Sequence, residues 1–339
     1  MSYPLDPGFS LDFTDLRIVA RGLTRPECVL ALSDGTLVAA HGGAGYSLID
    51  AHGRVEHTLI RQPAPRAYLP NGIAVAPDGR VLFADLGKDV GGIFAIDAAG
   101  NVEAILDSLD GQPLPPSNFV LVDGEQRLWF TVSTRKRPRT DAWNHRVADG
   151  FIGVVDARGA RIVADGIGYT NEIAFSPDGQ WLYVNETYNQ RVSRFSLQPG
   201  AVLGAKEVMA EFDGADLPDG LTFDAHGGAW ITCIGSNRLV VLRPDGNMQT
   251  VLSDTDTAYA EGLARKLREG ALAQEDMKTA GHSRLGNISS LAFGGPQRRT
   301  AYLGCLLDDC IRAFESPVPG LAPAHWQRRV RSQPGGRLA

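Results

Sequence analysis

The sequence predicts an all-β fold, a six-bladed β-propeller of four-stranded blades closed by its own N-terminal strand. Three observations lead there. A short phrase recurs along the chain, it returns at a spacing near the length of one blade, and each return precedes the same succession of short apolar runs and turns. The phrase is clearest at 217–230, LPDGLTFDAHGGAW. It reappears as RPECVLALSDGTLVAA from Arg25, YLPNGIAVAPDGRVLF from Tyr68, PPSNFVLVDGEQRLWF from Pro115 and YTNEIAFSPDGQWLYV from Tyr169. A weaker sixth copy, ISSLAFGGPQRRTAYL, begins at Ile288.

Aligned on its first polar residue, the phrase has anchors at Glu27, Asn71, Asn118, Asn171, Asp219 and Ser289, separated by 44, 47, 53, 48 and 70 residues. Eight residues beyond the anchor stand Gly35, Gly79, Gly179 and Gly227, with Gln126 as the exception. A period of about 40–50 residues with several short strands per unit is the mark of a propeller.

Each unit divides into four strands. In the second unit these are expected at 73–76, 80–84, 92–97 and 102–106, and in the fourth at 173–176, 181–185, 192–196 and 207–211. The first strand of each unit is an almost unbroken apolar run, as befits a strand covered on both faces by neighbouring blades. The sixth unit supplies only three strands, 291–293, 301–305 and 311–314, before the proline-rich SPVPGLAP. LRIVAR at 16–21 stands before Glu27 as ARIVAD stands before Asn171, so the N-terminal strand is expected to complete blade six. That closure removes the open sheet edges of an incomplete ring. Two insertions interrupt the pattern. Residues 133–150, STRKRPRTDAWNHRVADG, read as a solvated basic loop. Residues 257–278 place Leu263, Leu267, Leu272 and Met277 at helical spacing and predict an amphipathic helix packed on the ring.

The whole chain, 1–339, is thus expected to be one propeller domain. A net charge of −6 gives no reason to expect nucleic acid or an anionic membrane as partner. Cys28, Cys233, Cys305 and Cys310 form no CxxC pair; three of them read as small buried side chains, and no disulfide is expected. Residues 1–13 lack a secretory pattern, and no run approaches the roughly 18 apolar residues of a membrane span, so a cytoplasmic protein is expected. Oligomeric state is left open.

In a propeller the first strands line the central channel, and their starting residues meet at one end of it. Here those slots carry Glu27, Asn71, Asn118, Asn171 and Asp219, all oxygen-bearing, with no imidazole or thiolate among them. Hard oxygen donors without His or Cys suit Ca²⁺, with Mg²⁺ or Mn²⁺ as alternatives, and argue against a zinc or copper site, Zn²⁺ being kept only as a further alternative ion. Two carboxylates neutralise a divalent ion, and neutral Asn carbonyls leave positions for water or substrate. Asn71-Gly72 and Asp219-Gly220 also read as ordinary turn pairs. Glu27-Cys28, Asn118-Phe119 and Asn171-Glu172 do not, and this favours a metal held by Glu27, Asn118, Asn171 and Asp219, with Asn71 as a polar group of the channel wall.

With these residues in view, the chain resembles the SMP-30/gluconolactonase/luciferin-regenerating family, to which diisopropylfluorophosphatase is similar in structure. The likeness covers roughly residues 16–314 and rests on RPE at 25–27, SN at 117–118, TNEIAFSPDG at 170–179 and PDGLTFDAHG at 218–227. It implies a six-bladed propeller with one catalytic divalent cation, held by a Glu, two Asn and an Asp. Carried over by motif, these are Glu27, Asn118, Asn171 and Asp219. The chain departs from the family's pattern at Phe119 (commonly Asp), Pro116 (often Arg) and Glu172 (usually Gly), which makes the surroundings less polar at Asn118 and more acidic at Asn171.

The resemblance implies metal-assisted opening of a small-molecule lactone, with Asp219 as ligand and general base, or as nucleophile in a phosphatase-like variant. Glu172 is a rival base. Fourteen residues after the anchors, where the second strand returns to the same end, stand His41, Asp85, Val132, Asn185 and Cys233. His41, Asp85 and Asn185, together with Asn71 and with Trp143 and His145 of the basic insertion near Arg135, are the candidates for the substrate pocket. His41 reads equally well as a histidine bonded within the Gly42-Gly43 turn. The alternatives to a lactonase are a broader ester or phosphotriester hydrolase on the same site, and a non-catalytic propeller tied together by its metal.

Overall fold

The structure, a computed structural model, describes residues 3–331. Six antiparallel four-stranded sheets follow one another around a ring. From channel to rim, blade 1 is Val29–Ala31, Leu37–His41, Gly45–Ile49 and Val55–Leu59. Blade 2 is Pro70–Val75, Val81–Asp85, Gly92–Ile96 and Val102–Leu106, and blade 3 is Ser117–Val122, Leu128–Val132, Gly150–Asp156 and Gly159–Ile167. Blade 4 is Thr170–Phe175, Trp181–Glu186, Arg191–Gln198 and Val202–Glu211, and blade 5 is Asp216–Phe223, Ala229–Gly235, Arg238–Leu242 and Met248–Ser253. Blade 6 joins Ile288–Gly294, Thr300–Cys305 and Ile311–Glu315 to the N-terminal Arg17–Ala20, whose Arg17 faces Ala313. The ring is therefore closed by pairing the two ends of the chain, as the strand count demanded.

Burial falls from channel to rim. All six residues of Pro70–Val75 are buried, whereas no residue of the outermost strand Val102–Leu106 is. The apolar layers between blades hold the ring together, and blade edges carry the charge. Where the phrase turns, Gly35, Gly79, Gly179 and Gly227 have φ of +89°, +84°, +69° and +94°, a region that glycine enters without strain. Gln126 adopts the same left-handed turn at φ +62°. Asp123 Oδ1 accepts from the amides of Glu125 and Arg127, both at 2.9 Å, and holds that turn without a glycine.

Three segments depart from the sequence reading. A two-stranded hairpin, Ser108–Leu109 with Gln112–Pro113, lies between blades 2 and 3 and was not expected. The helix spans Thr257–Glu269 rather than the whole of 257–278. Asp256 caps its start by accepting from the Tyr259 amide, and Gly270 at φ +72° ends it, so Leu272 and Met277 follow in a loop and a 3-10 turn. The insertion 133–150 is not solvated throughout. Its 3-10 turn Arg139–Ala142 leads into Trp143, and Ala142 and Trp143 are buried against Tyr169, Tyr188, Leu263 and Leu267.

Beyond blade 6 the chain crosses the end of the channel opposite the anchors. The Leu321 amide bonds to Phe223 O at 2.9 Å, the Ser33 amide to Trp326 O at 2.8 Å, and the Arg331 amide to Gly79 O at 3.0 Å. This tail floors a cavity of about 560 Å³ lined by the innermost strands.

Candidate metal centre and its channel mouth

Five of the six anchors lie inside the first strands, Glu27 standing two residues before Val29–Ala31, and at those five the ladders slip. Register shifts fall between Pro70 and Ile73, Ser117 and Phe119, Thr170 and Ile173, Pro218 and Leu221, and Ile288 and Ser290. A bulge breaks the in-out alternation of a strand and re-aims a side chain. It also frees backbone groups, and these are recaptured. The Phe119 amide donates to Thr131 Oγ1 (3.1 Å) and the Gly220 amide to Thr232 Oγ1 (2.9 Å). Asn185 Nδ2 donates to Asp219 O (2.9 Å) and Gly220 O (3.0 Å), and Thr187 Oγ1 to Pro218 O (2.8 Å).

The glycines after Asn71 and Asp219 are not turn residues. A Cβ on Gly72 would lie 2.5 Å from Phe119 Cδ2, and one on Gly220 would lie 2.5 Å from Ser289 O. They are bare because neighbouring first strands approach closely at the channel.

The anchor side chains gather in two hydrogen-bonded groups. Asn71 Nδ2 donates to Glu27 Oε1 (2.8 Å) and to Asn118 O (3.0 Å), and lies 3.4 Å from Asn118 Oδ1. Asn171 Nδ2 donates to Asp219 Oδ1 and, at 2.9 Å, to Thr187 Oγ1. Glu172 Oε2 accepts from the Leu221 amide at 2.8 Å and faces the cavity beneath the ring. Ser289 is spent differently. Its Oγ donates to Glu27 O at 2.7 Å and fastens blade 6 to blade 1.

Glu27, Glu172 and Asp219 are all buried, at 3%, 5% and 4% exposure. Burial pushes each carboxyl well above its usual range. The charge of Glu27 raises Asp219 and Glu172 further, whereas Arg25 and Asn71 partly restrain Glu27. Glu27 Oε2 and Asn171 Oδ1 are buried without any partner. A buried carboxylate oxygen left alone is costly unless a cation meets it. The carboxyls of Glu27 and Asp219, the neutral amide oxygens and the two unpartnered buried oxygens therefore suit a hard divalent ion.

The second-strand candidates divide. Asn185 supports the Asp219 bulge, with its Oδ1 unpartnered. Asp85 is turned away from a substrate role: its carboxylate binds Arg66 Nη2 at 2.5 Å and the Leu69 amide at 2.8 Å. His41 takes the turn alternative, its Nδ1 accepting from the Gly43 amide at 3.0 Å while its ring meets His57. Trp143 stacks on Tyr188 with centroids 5.0 Å apart, and Tyr188 meets Tyr169 at 4.6 Å. His145 is exposed and contributes its carbonyl to Asn189 Nδ2.

Sequence reasoning missed Arg25, Arg139, Tyr169, Tyr188 and the bulge-holding Thr131 and Thr232. One signal was available. Arg25 and Tyr169 both stand two residues before an anchor, and with Asn287 before Ser289 they share left-handed backbone, φ +47°, +35° and +58°. Non-glycine residues held there store strain and gather at functional sites.

The SMP-30/Gluconolactonase/LRE-like family profile matches residues 89–253, which hold the second half of blade 2, blades 3 and 4, and blade 5 to its outermost strand. The chain contains an SMP-30/gluconolactonase/LRE-like region. This region carries three of the four proposed ligands, and Glu27 lies outside it. Over 161 residues, 46% of this chain and 53% of the relative, the sequence is 29% identical to a 6-deoxy-6-sulfogluconolactonase of Pseudomonas putida. It is 26% identical over 52% of the chain to the lactonase drp35 of Staphylococcus epidermidis, covering 54% of that protein. The aligned stretch thus spans about half the length of these curated relatives. In fold, the chain is similar to a gluconolactonase from Xanthomonas campestris (TM-score 0.63, 20% identity, 90% of this chain and 89% of that one). It is likewise similar to a calcium-binding regucalcin from Agrobacterium tumefaciens (TM-score 0.63, 17% identity, 96% and 99% covered).

Proposed function

We propose that this protein is a divalent-metal-dependent hydrolase that opens a lactone ring. The observation that carries the reading is that Glu27 and Asn118 gather on Asn71 and Asn171 on Asp219, that the charges of Glu27 and Asp219 act on one another, and that Glu27 Oε2 and Asn171 Oδ1 are buried and unpartnered. These four side chains would hold the ion, most consistently Ca²⁺, since every donor is oxygen. When bound, a divalent ion polarises a carbonyl and stabilises negative charge developing on its oxygen, an effect worth several kcal/mol. The lactonase names among the relatives supply the substrate class.

The chain's own groups do the rest. Asn185 and Thr187 fix the backbone on either side of Asp219, so its carboxylate stands in one place. Burial and the charge of Glu27 raise the proton affinity of Asp219. That rise belongs to the metal-free site; a bound divalent ion would offset it and hold Asp219 ionised, and in that state Asp219 would accept the proton of the attacking water. Glu172 is likewise raised by burial, but its Oε2 is occupied by the Leu221 amide and it faces the cavity below. Asp219 is therefore the preferred base. Trp143, Tyr169 and Tyr188 form an aromatic wall that keeps water from one side of the mouth.

Ring opening releases a proton, so an indicator assay over lactones, aryl esters and phosphotriesters, with and without chelator, tests the proposal. Chelator-sensitive turnover of a lactone is expected, with Asp219→Asn reducing kcat at least 100-fold, the upper range of general-base contributions being roughly 10⁴. Turnover only of esters or phosphotriesters would move the assignment to that class. Calcium-dependent stabilisation without any turnover would make the ion structural.

A further inference from the structure

Among the described residues, two guanidinium groups at the channel mouth make no ion pair with a carboxylate. Arg25, in its left-handed backbone conformation, sends Nη2 to Asn71 Oδ1 (2.7 Å) and Nη1 to Pro70 O (3.3 Å). Arg139, at the start of the 3-10 turn in the insertion, donates Nη1 to Leu86 O at 3.3 Å. Pro70 pairs across the ladder with Asp85, and the Leu86 amide bonds to Leu69 O. The two arginines therefore land on adjacent carbonyls at one corner of blade 2, one arriving from blade 1 and the other from blade 3.

Among the described residues neither arginine has a carboxylate within ion-pair distance. Asp85, the acid at that corner, is already committed to Arg66 at 2.5 Å. Both side chains are part-buried, and of the charges around it Arg25 feels that of Glu27 most, with Arg139 opposing it and Asp219 adding to it. Like charges gathered in a partly dry mouth, with most of their N–H groups unassigned, are a receptor lacking its anion. Arginine is suited to that task, because its planar fork meets a carboxylate, phosphate or sulfonate with two parallel hydrogen bonds.

The mouth leads from these arginines to the carboxylate ring. Tyr169 and Tyr188 lie within reach of the charges of both Arg139 and Asp219, so the aromatic wall borders the path between them. Trp143, stacked on Tyr188, keeps a buried Nε1–H without a partner. We infer that Arg25 and Arg139 form an oxyanion receptor, so that the substrate is a lactone carrying a second acidic group on its far end. This rests on the proposed metal-centred hydrolysis, because a divalent ion satisfies Glu27 and Asp219 and leaves Arg25 free for substrate.

The test is calorimetric titration of the full-length protein in calcium with two six-carbon ligands, an aldonate monoanion and the aldarate dianion of the same length. The wild type is expected to bind the dianion at least tenfold tighter. Arg139→Gln should bring that ratio near one, and Arg139→Lys should leave it between the two. In the proton-release assay the same Arg139→Gln change should raise KM for an acid-bearing lactone about tenfold, with a much smaller effect on kcat. Equal affinities in the wild type, no binding of either ligand, or an unchanged ratio in Arg139→Gln would overturn the inference. If no lactone is opened, the hydrolase proposal fails while the calorimetric ratio still decides the receptor.

Discussion

Replacing Glu27 by Gln should stabilise the metal-free protein and remove its response to calcium. The side chain keeps its shape, and its Oε1 still accepts from Asn71 Nδ2 as at 2.8 Å in the wild type. What changes is the charge. Burial lifts the Glu27 carboxyl from 4.5 to about 7, against the opposing pull of Arg25 and Asn71. The folded state thus holds this proton more tightly than the unfolded chain. The stabilising contribution of the proton is complete below about pH 4.5 and is lost as the pH rises through 7. At pH 8 the folded protein carries an ionised carboxylate that burial disfavours. At about 1.4 kcal/mol per pKa unit the cost is at most roughly 3 kcal/mol, and about 1–3 kcal/mol is the expected gain in Glu27→Gln. At pH 5 the folded side chain is mostly protonated and the difference should shrink to below about 1 kcal/mol. With calcium at about 100 times its dissociation constant the wild type gains about 2.7 kcal/mol, and the variant gains little. The order of the two proteins should therefore reverse between chelator and calcium. Urea unfolding at pH 8 and pH 5 in both conditions measures each quantity. A variant weaker than the wild type in chelator at pH 8 would refute the electrostatic argument, and equal calcium gains would remove Glu27 from the ligand set.

Other consequences are open to measurement. Asn185→Leu leaves the carbonyls of Asp219 and Gly220 without their donor, at about 1–3 kcal/mol each, and should lower the unfolding midpoint and blunt the calcium-induced rise. An undiminished calcium response would show that the bulge does not depend on Asn185. His325, on the tail that floors the cavity, is lowered to about 4 by burial and by Arg328, so the unfolded chain binds its proton first. Stability should fall as the pH drops from about 6.5 toward 4, by roughly 1–2 kcal/mol given the residue's partial exposure, and His325→Leu should flatten that part of the pH profile. A profile identical to the wild type would assign the decline to carboxylates elsewhere.

Much of the architecture was legible because a propeller repeats its solution. The same apolar run, turn and returning strand had to be encoded several times, so register could be read by comparing one copy with another. Even the missing fourth strand of blade 6 was visible, since an edge left open has to be paired and only 16–21 remained to pair it. The anchors came through for the same reason. Five oxygen-bearing side chains in one register are improbable as turn residues, and the structure shows that Gly72 and Gly220 are there for close strand approach.

What stayed hidden depends on contacts between copies rather than within one. Asp85 and Asn185 occupy the same slot, yet one is consumed by Arg66 and the other braces Asp219. Nothing in the slot itself distinguishes them. The basic insertion looked like a solvated loop because its charges are local in sequence, whereas the surface that buries Trp143 is assembled from blade 4 and the helix. Arg25 and Arg139 are separated by two blades of chain and meet only where the ring brings their rims together. The sequence by itself thus determined the number of blades, their closure and the oxygen-bearing anchors at the channel, because each is encoded locally and repeated. Only the tertiary structure decided which acids are already paired and which arginines are not, because an ion pair is a property of distance in space.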